Sequence, residues 1–183
     1  MNKKELLKPL KNKLNNSELT EIFRYSIDDC SMLVSFVAVS DQLSLVCQTS
    51  EFSFDGYRIV RNSDISEIST SDKNDNLKFV NMIYSKEKIF CKNPDVKIDS
   101  WLTIFDKLVK SGKAVMVECS FDDAIDYYFG KVKSVSGNII QLECFDGAGV
   151  LFNDIVKLNT DFVSSVTFDD RYTTLMSKYI KWR

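Results

Sequence analysis

The residues of this chain that could do chemistry are five cysteines, three aspartate pairs and two clusters around Asp-Gly dipeptides. Cys30, Cys47, Cys91, Cys119 and Cys144 are widely spaced, with no Cys-x-x-Cys pair. A thiol nucleophile needs a base or a lowered pKa, and the 183 residues include no histidine. That absence removes Ser-His-Asp and Cys-His catalysis and every histidine-ligated zinc or iron site. Asp28-Asp29, Asp122-Asp123 and Asp169-Asp170 carry the carboxylates that hard cations accept. Neighbours in extended chain point to opposite sides, and no Asp-x-Asp-x-Asp loop with a following Glu is present. Asp28 and Asp122 therefore read as turn residues that accept backbone N–H bonds. No catalytic residue, metal site or cofactor is expected.

Binding chemistry has more candidates. Asp55-Gly56-Tyr57-Arg58 is flanked by Phe52, Phe54 and Arg61. Aromatics beside arginines suit base stacking or a peptide-anchor pocket. The same residues also suit a tight Asp-Gly turn with Phe52 and Phe54 turned into the core. Tyr127-Tyr128-Phe129 places one aromatic on the opposite strand face from the other two, and Tyr128 is the expected contact residue. Asp146-Gly147-Ala148-Gly149 resembles part of a glycine-rich loop but lacks the lysine of a phosphate cradle. It reads as a flexible hairpin loop. The expected binding residues are Phe52, Phe54, Tyr57, Arg58, Arg61 and Tyr128.

Helices and short strands must position these side chains. Apolar spacing predicts helices over Lys3–Asn15, Asn76–Glu87, Ser100–Ser111 and Arg171–Trp182. The third has Asp99 or Ser100 to cap its start and Gly112 to close it. The fourth has an apolar face of Tyr172, Leu175, Met176 and Tyr179. Strands are expected over Leu19–Tyr25, Met32–Val39, Leu43–Gln48, Tyr57–Asn62 and Ile65–Ser69. A second set covers Ala114–Cys119, Tyr127–Val135, Asn138–Cys144, Leu151–Leu158 and Phe162–Phe168.

The two sets follow one order, which points to an internal duplication. At a spacing of 97, Leu45 meets Leu142, Cys47 meets Cys144, Asn62 meets Asn159 and Ile65 meets Phe162. The extra residues of the second half are expected near Ser134–Gly137. The boundary falls near Asn93-Pro94-Asp95, giving modules 1–92 and 93–183. The order of short strands, with only a brief link before the last, resembles an Sm-like or SH3-like barrel. The resemblance implies an α+β fold of two related modules. Each would be an N-terminal helix, a small strongly bent five-stranded antiparallel barrel and a C-terminal helix. The basic-Gly signature of Sm proteins is missing: Arg61-Asn62-Ser63-Asp64 and Leu158-Asn159-Thr160-Asp161 stand there instead.

Charge narrows the partners. The chain carries 24 basic and 26 acidic side chains, a net charge of −2. Non-specific duplex binding needs a concentrated basic face, so DNA is not expected. Lys3, Lys4, Lys8, Lys11 and Lys13 form a cluster that suits the solvated face of a helix. No membrane-length apolar run is visible, and the first residues lack a signal-peptide pattern. Scattered cysteines in that context suggest reduced thiols in the cytoplasm. These readings favour a non-enzymatic protein-interaction module that binds another protein or itself, with RNA or single-stranded nucleic acid as the alternative.

Overall fold

The computed structural model describes residues 18–122 and 124–183, and the helix expected over Lys3–Asn15 lies outside them. The chain divides into two compact units, Met1–Asp95 and Val96–Arg183. In the first unit the strands are β1 (Leu19–Arg24), β2 (Asp28–Val39), β3 (Leu43–Ser50), β4 (Ser53–Arg61) and β5 (Glu67–Ser69), followed by helix α1 (Asp75–Lys86). The second unit begins with α2 (Trp101–Ser111). It continues with β6 (Ala114–Ser120), β7 (Ile125–Ser136), β8 (Ile139–Cys144), β9 (Val156–Asn159), β10 (Val163–Phe168) and α3 (Arg171–Tyr179).

The strands lie in open antiparallel sheet, ordered β5-β1-β2-β3-β4 in the first unit and β10-β6-β7-β8-β9 in the second. This corrects the expected α+β pair of closed barrels, because strands dominate and only three helices occur among the described residues. Among those residues no ladder joins β5 to β4, or β10 to β9. β5 has three residues, and all three are paired to β1. Strand count and turn length limit the order of a sheet, but they do not decide whether its ends meet.

Caps set the helices. Asn74 accepts from the Leu77 N–H at 3.1 Å, and Ser100 accepts from the Thr103 N–H at 3.2 Å. Such caps satisfy donors that a helix start leaves open. Gly112 closes α2 at φ +63°, a conformation glycine adopts without Cβ strain. On one face of the first sheet, Ile22, Val34, Phe36, Val46, Val60 and Ile65 form a core cluster. On the other, Leu77 and Tyr84 of α1 pack with Leu19, Leu33 and Phe54.

The ladders also revise the correspondence between halves. Each unit has one bulge in the same ladder, between Phe36 and Ala38 in β2 and between Val132 and Ser134 in β7. Aligned on that bulge, Val46 matches Leu142 and Cys47 matches Glu143 rather than Cys144. The 3-10 turns Asn62–Asp64 and Thr160–Phe162 then align, and buried Ile65 matches buried Val163. Phe162, its expected counterpart, is exposed. The extra residues of the second unit sit mainly between β8 and β9, not in the hairpin near Ser134–Gly137.

Candidate protein-binding face

The cluster expected around residues 52–61 is divided by its own backbone. The tight turn is at Glu51 and Phe52, both with positive φ, between the paired residues Ser50 and Ser53. Gly56, at φ +75°, lies inside β4, where the register slips between Cys47 and Thr49. The slip places Phe54 opposite Thr49 and Tyr57 opposite Cys47. Directly opposed residues share a face, so Phe54, Tyr57 and Arg61 lie on one side and Arg58 on the other. Phe52 is exposed, with its ring 6.0 Å from Tyr84. Phe54 is half-buried against the same tyrosine at 5.8 Å. Tyr57 donates to the Lys92 carbonyl at 2.7 Å. Arg58 Nη1 lies 3.1 Å from the Met32 sulfur. The structure therefore brings Phe52 and Phe54 together at Tyr84 and separates Arg58 from the rest.

Tyr128 lies in β7, half-buried, and donates to Asp126 at 3.2 Å. Burial, with Asp126 beside it, pushes its hydroxyl above the ordinary range. The exposed member of that aromatic run is Tyr127. Asp28, Asp169 and Asp170 have structural partners. Asp28 accepts from the Cys30 N–H at 2.9 Å, in the turn role expected of it. Asp169 pairs with Lys113 at 2.7 Å. Asp170 caps α3 through the Thr173 N–H at 3.0 Å and also accepts from the Thr173 hydroxyl.

A different surface stands out in the second unit. α3 buries Thr173, while Leu175 and Tyr179 face outward and the half-exposed Tyr172 packs edge-to-face on Phe129 with centroids 5.3 Å apart. Met176, the fourth residue of the expected apolar face, is half-buried. At spacings of three and four residues the three side chains form one stripe, and Tyr179 is 85% exposed. The helix also ends earlier than its apolar spacing predicts. Ile180 turns extended and is buried, and residues 180–183 lie along the unit instead of continuing the helix. Trp182 packs edge-on to Phe145 with centroids 5.9 Å apart, takes Lys131 Nζ 4.3 Å over its ring, and donates to the Ser177 carbonyl. Aromatic and cation–π contacts of this kind compensate for the lost helical turn.

An ionic anchor holds that segment. Glu143 in β8 is 1% exposed. Its carboxylate accepts from Lys133 Nζ at 3.2 Å and from the Arg183 N–H at 3.2 Å, with Arg183 Nε at 3.5 Å. The Arg183 guanidinium also donates to the carbonyls of Phe152 and Asn153, tying in the β8–β9 loop. Inside that loop Asp146 accepts from the Ala148 and Val150 N–H groups, each at 2.9 Å. A carboxylate occupying those donors makes the glycine-rich stretch a self-closed turn that displays Val150. A cavity of about 520 Å³ opens between loop and segment, lined by Gly149, Val150, Leu151, Tyr179, Lys181 and Arg183.

Sequence reasoning missed Glu143, Lys133 and Arg183. A signal was present: Glu143 is the single charge in the apolar strand Ile139–Cys144. A second was residues 171–183, which carry Arg171, Lys178, Lys181 and Arg183 and no acid in a chain of net charge −2. Comparison with protein-family models, curated proteins and solved structures finds no match. Among the described residues no helix is long and apolar enough to cross a membrane.

Proposed function

We propose that this chain is a non-enzymatic, cytoplasmic protein-interaction module whose α3 face receives an acidic, apolar segment of another protein. The observation that carries the reading is the exposed stripe Tyr172–Leu175–Tyr179 beside the cavity under Val150. Contiguous exposed apolar groups rimmed by polar ones mark interaction sites. Tyrosine is favoured at such sites because it buries a large area while ordering few torsions. The exposed Lys178 and Lys181 beside the stripe set the partner's sign. They also favour a different protein over a second copy, since two such faces would oppose like charges.

Peptides selected from a library of acidic, apolar sequences test this reading directly. Leu175→Ser with Tyr179→Ser removes two anchors and should weaken a selected peptide by about tenfold or more. Far-UV circular dichroism should not change, because both side chains are exposed. Unchanged affinity would remove the stripe from the account. RNA is the second reading, favoured by exposed tyrosines next to cations. Filter retention of mixed-sequence RNA at low salt separates the two. The protein reading expects weak retention. Strong retention that falls steeply with salt supports RNA.

A further inference from the structure

Helix α1 is held to the first sheet by one side and shows solvent a patterned stripe on the other. Leu77 and Tyr84 are buried with Leu19, and Leu33 and Phe54 pack against them. Asn81 fixes the helix to the start of β1. Its side chain accepts from the Leu19 N–H at 2.7 Å and donates to the Leu19 carbonyl at 3.0 Å. With about 3.6 residues per turn, that inner side sets Asp75, Phe79, Met82 and Lys86 along the outer one. All four are exposed, Phe79 by 60%. Ile83, half-buried, flanks the two apolar members. Asp75 is the first residue of the helix and Lys86 the last.

We propose that this stripe is a self-association face, on which α1 of a second copy of the chain packs antiparallel. The steps of four, three and four residues are those of a helix–helix seam. The order along the seam is acid, apolar, apolar, base, and it is its own complement when the direction is reversed. A two-fold axis at its midpoint sets Asp75 against the partner's Lys86 and Phe79 against the partner's Met82. The axis repeats both contacts, which makes the interface isologous. Charge selects this occupant and this direction. Parallel copies would oppose acid to acid and base to base, and a partner of one sign would meet a like charge at one end of the stripe. The antiparallel pair meets no like charge along the seam, and it also sets the two helix dipoles in opposition. The helix has 12 residues, so the pair buries well under the roughly 1,600 Å² of a standard interface. The dimer is therefore weak and reversible. It lies on the first unit and leaves the α3 face of the second to its own partner.

Analytical ultracentrifugation of the full chain tests this, with dithiothreitol present so that the exposed Cys30 forms no link between molecules. The average mass should rise from monomer toward dimer with a Kd on the order of 100 μM. Phe79→Asp should hold the chain at monomer mass, with unchanged far-UV circular dichroism because the side chain is exposed. Asp75→Lys and Lys86→Glu should each weaken the dimer by about tenfold, since either one opposes like charges at both ends of the seam. An equal mixture of these two variants should associate as well as the parent chain, because every opposed pair then has opposite signs. The double variant should recover the parent's Kd for the same reason. The proposal is overturned if the chain stays monomeric to about 1 mM, as it would were the stripe covered by residues 1–17 or kept for a different protein. It is equally overturned if Phe79→Asp leaves a dimer intact, or if the mixture associates no better than either charge variant alone.

Discussion

Glu143→Ala should loosen the segment Ile180–Arg183 and cost the second unit about 2 kcal/mol. The carboxylate is buried and accepts one backbone N–H, from Arg183 at 3.2 Å. A hydrogen bond to a charged acceptor contributes roughly 1.5 kcal/mol. Its two cations, Lys133 and Arg183, have side chains 41% and 53% exposed. Water screens pairs of that kind, so each contributes about 0.5 kcal/mol and no more. Losing the one buried methylene, Cγ, adds about 1 kcal/mol with the cavity it leaves. Against this, the mutation removes a carboxylate that is desolvated in the fold, which returns about 1–2 kcal/mol. Urea unfolding followed by Trp182 emission in a Trp101→Phe background reads the segment directly. With an m value of about 2 kcal/mol/M, the midpoint should fall by about 1 M. Glu143→Gln, which keeps an acceptor, should fall by about half as much. A midpoint within about 0.2 M of the parent's, with unchanged Trp182 emission, would show that Glu143 does not anchor this segment.

Gly130→Ala should be the most disruptive small substitution, because a Cβ there would sit 2.3 Å from the Glu143 carbonyl oxygen and 2.9 Å from Cys144 Cα. Backbone must move, so we expect a loss of about 3 kcal/mol in the same urea titration. Asp170→Ala removes the cap of α3 and should cost about 1–2 kcal/mol, with faster hydrogen exchange of the Thr173 amide as the local check. Burial pushes the Cys144 thiol from 9.0 up to about 12. Its folded form stays neutral while the unfolded thiol ionises, so the associated stability is intact below pH 9 and is lost as pH rises from 9 toward 12. Cys144→Ala should flatten that part of the stability profile.

What the sequence made legible depended on how local the cause was. The cap of α2 is a matter of adjacent residues, and Ser100 and Gly112 act as their types imply. The strand order follows from apolar runs and short links. The face of α3 was not legible, because tyrosine suits a core and a surface equally, and the buried position at Thr173 is polar. Asp55-Gly56 reads as a turn by composition. In the structure the turn falls at Glu51 and Phe52, and glycine's positive φ serves a bulge inside β4. That slip decides which side Arg58 faces, and no spacing rule reveals it. The match of Cys47 to Cys144 failed for the same reason, since one bulge moves every later residue to the other side. Glu143 depends on Lys133 and Arg183, brought to it only by the hairpin and by the return of the chain after α3.

Hydrogen exchange on the full chain, with and without a selected acidic, apolar peptide, tests the interaction face most directly. Exchange should slow in residues 147–153 and 171–181 and stay unchanged in β1–β5. Protection that spares both of those segments, or that falls in the first unit around Phe52 and Phe54, would contradict it.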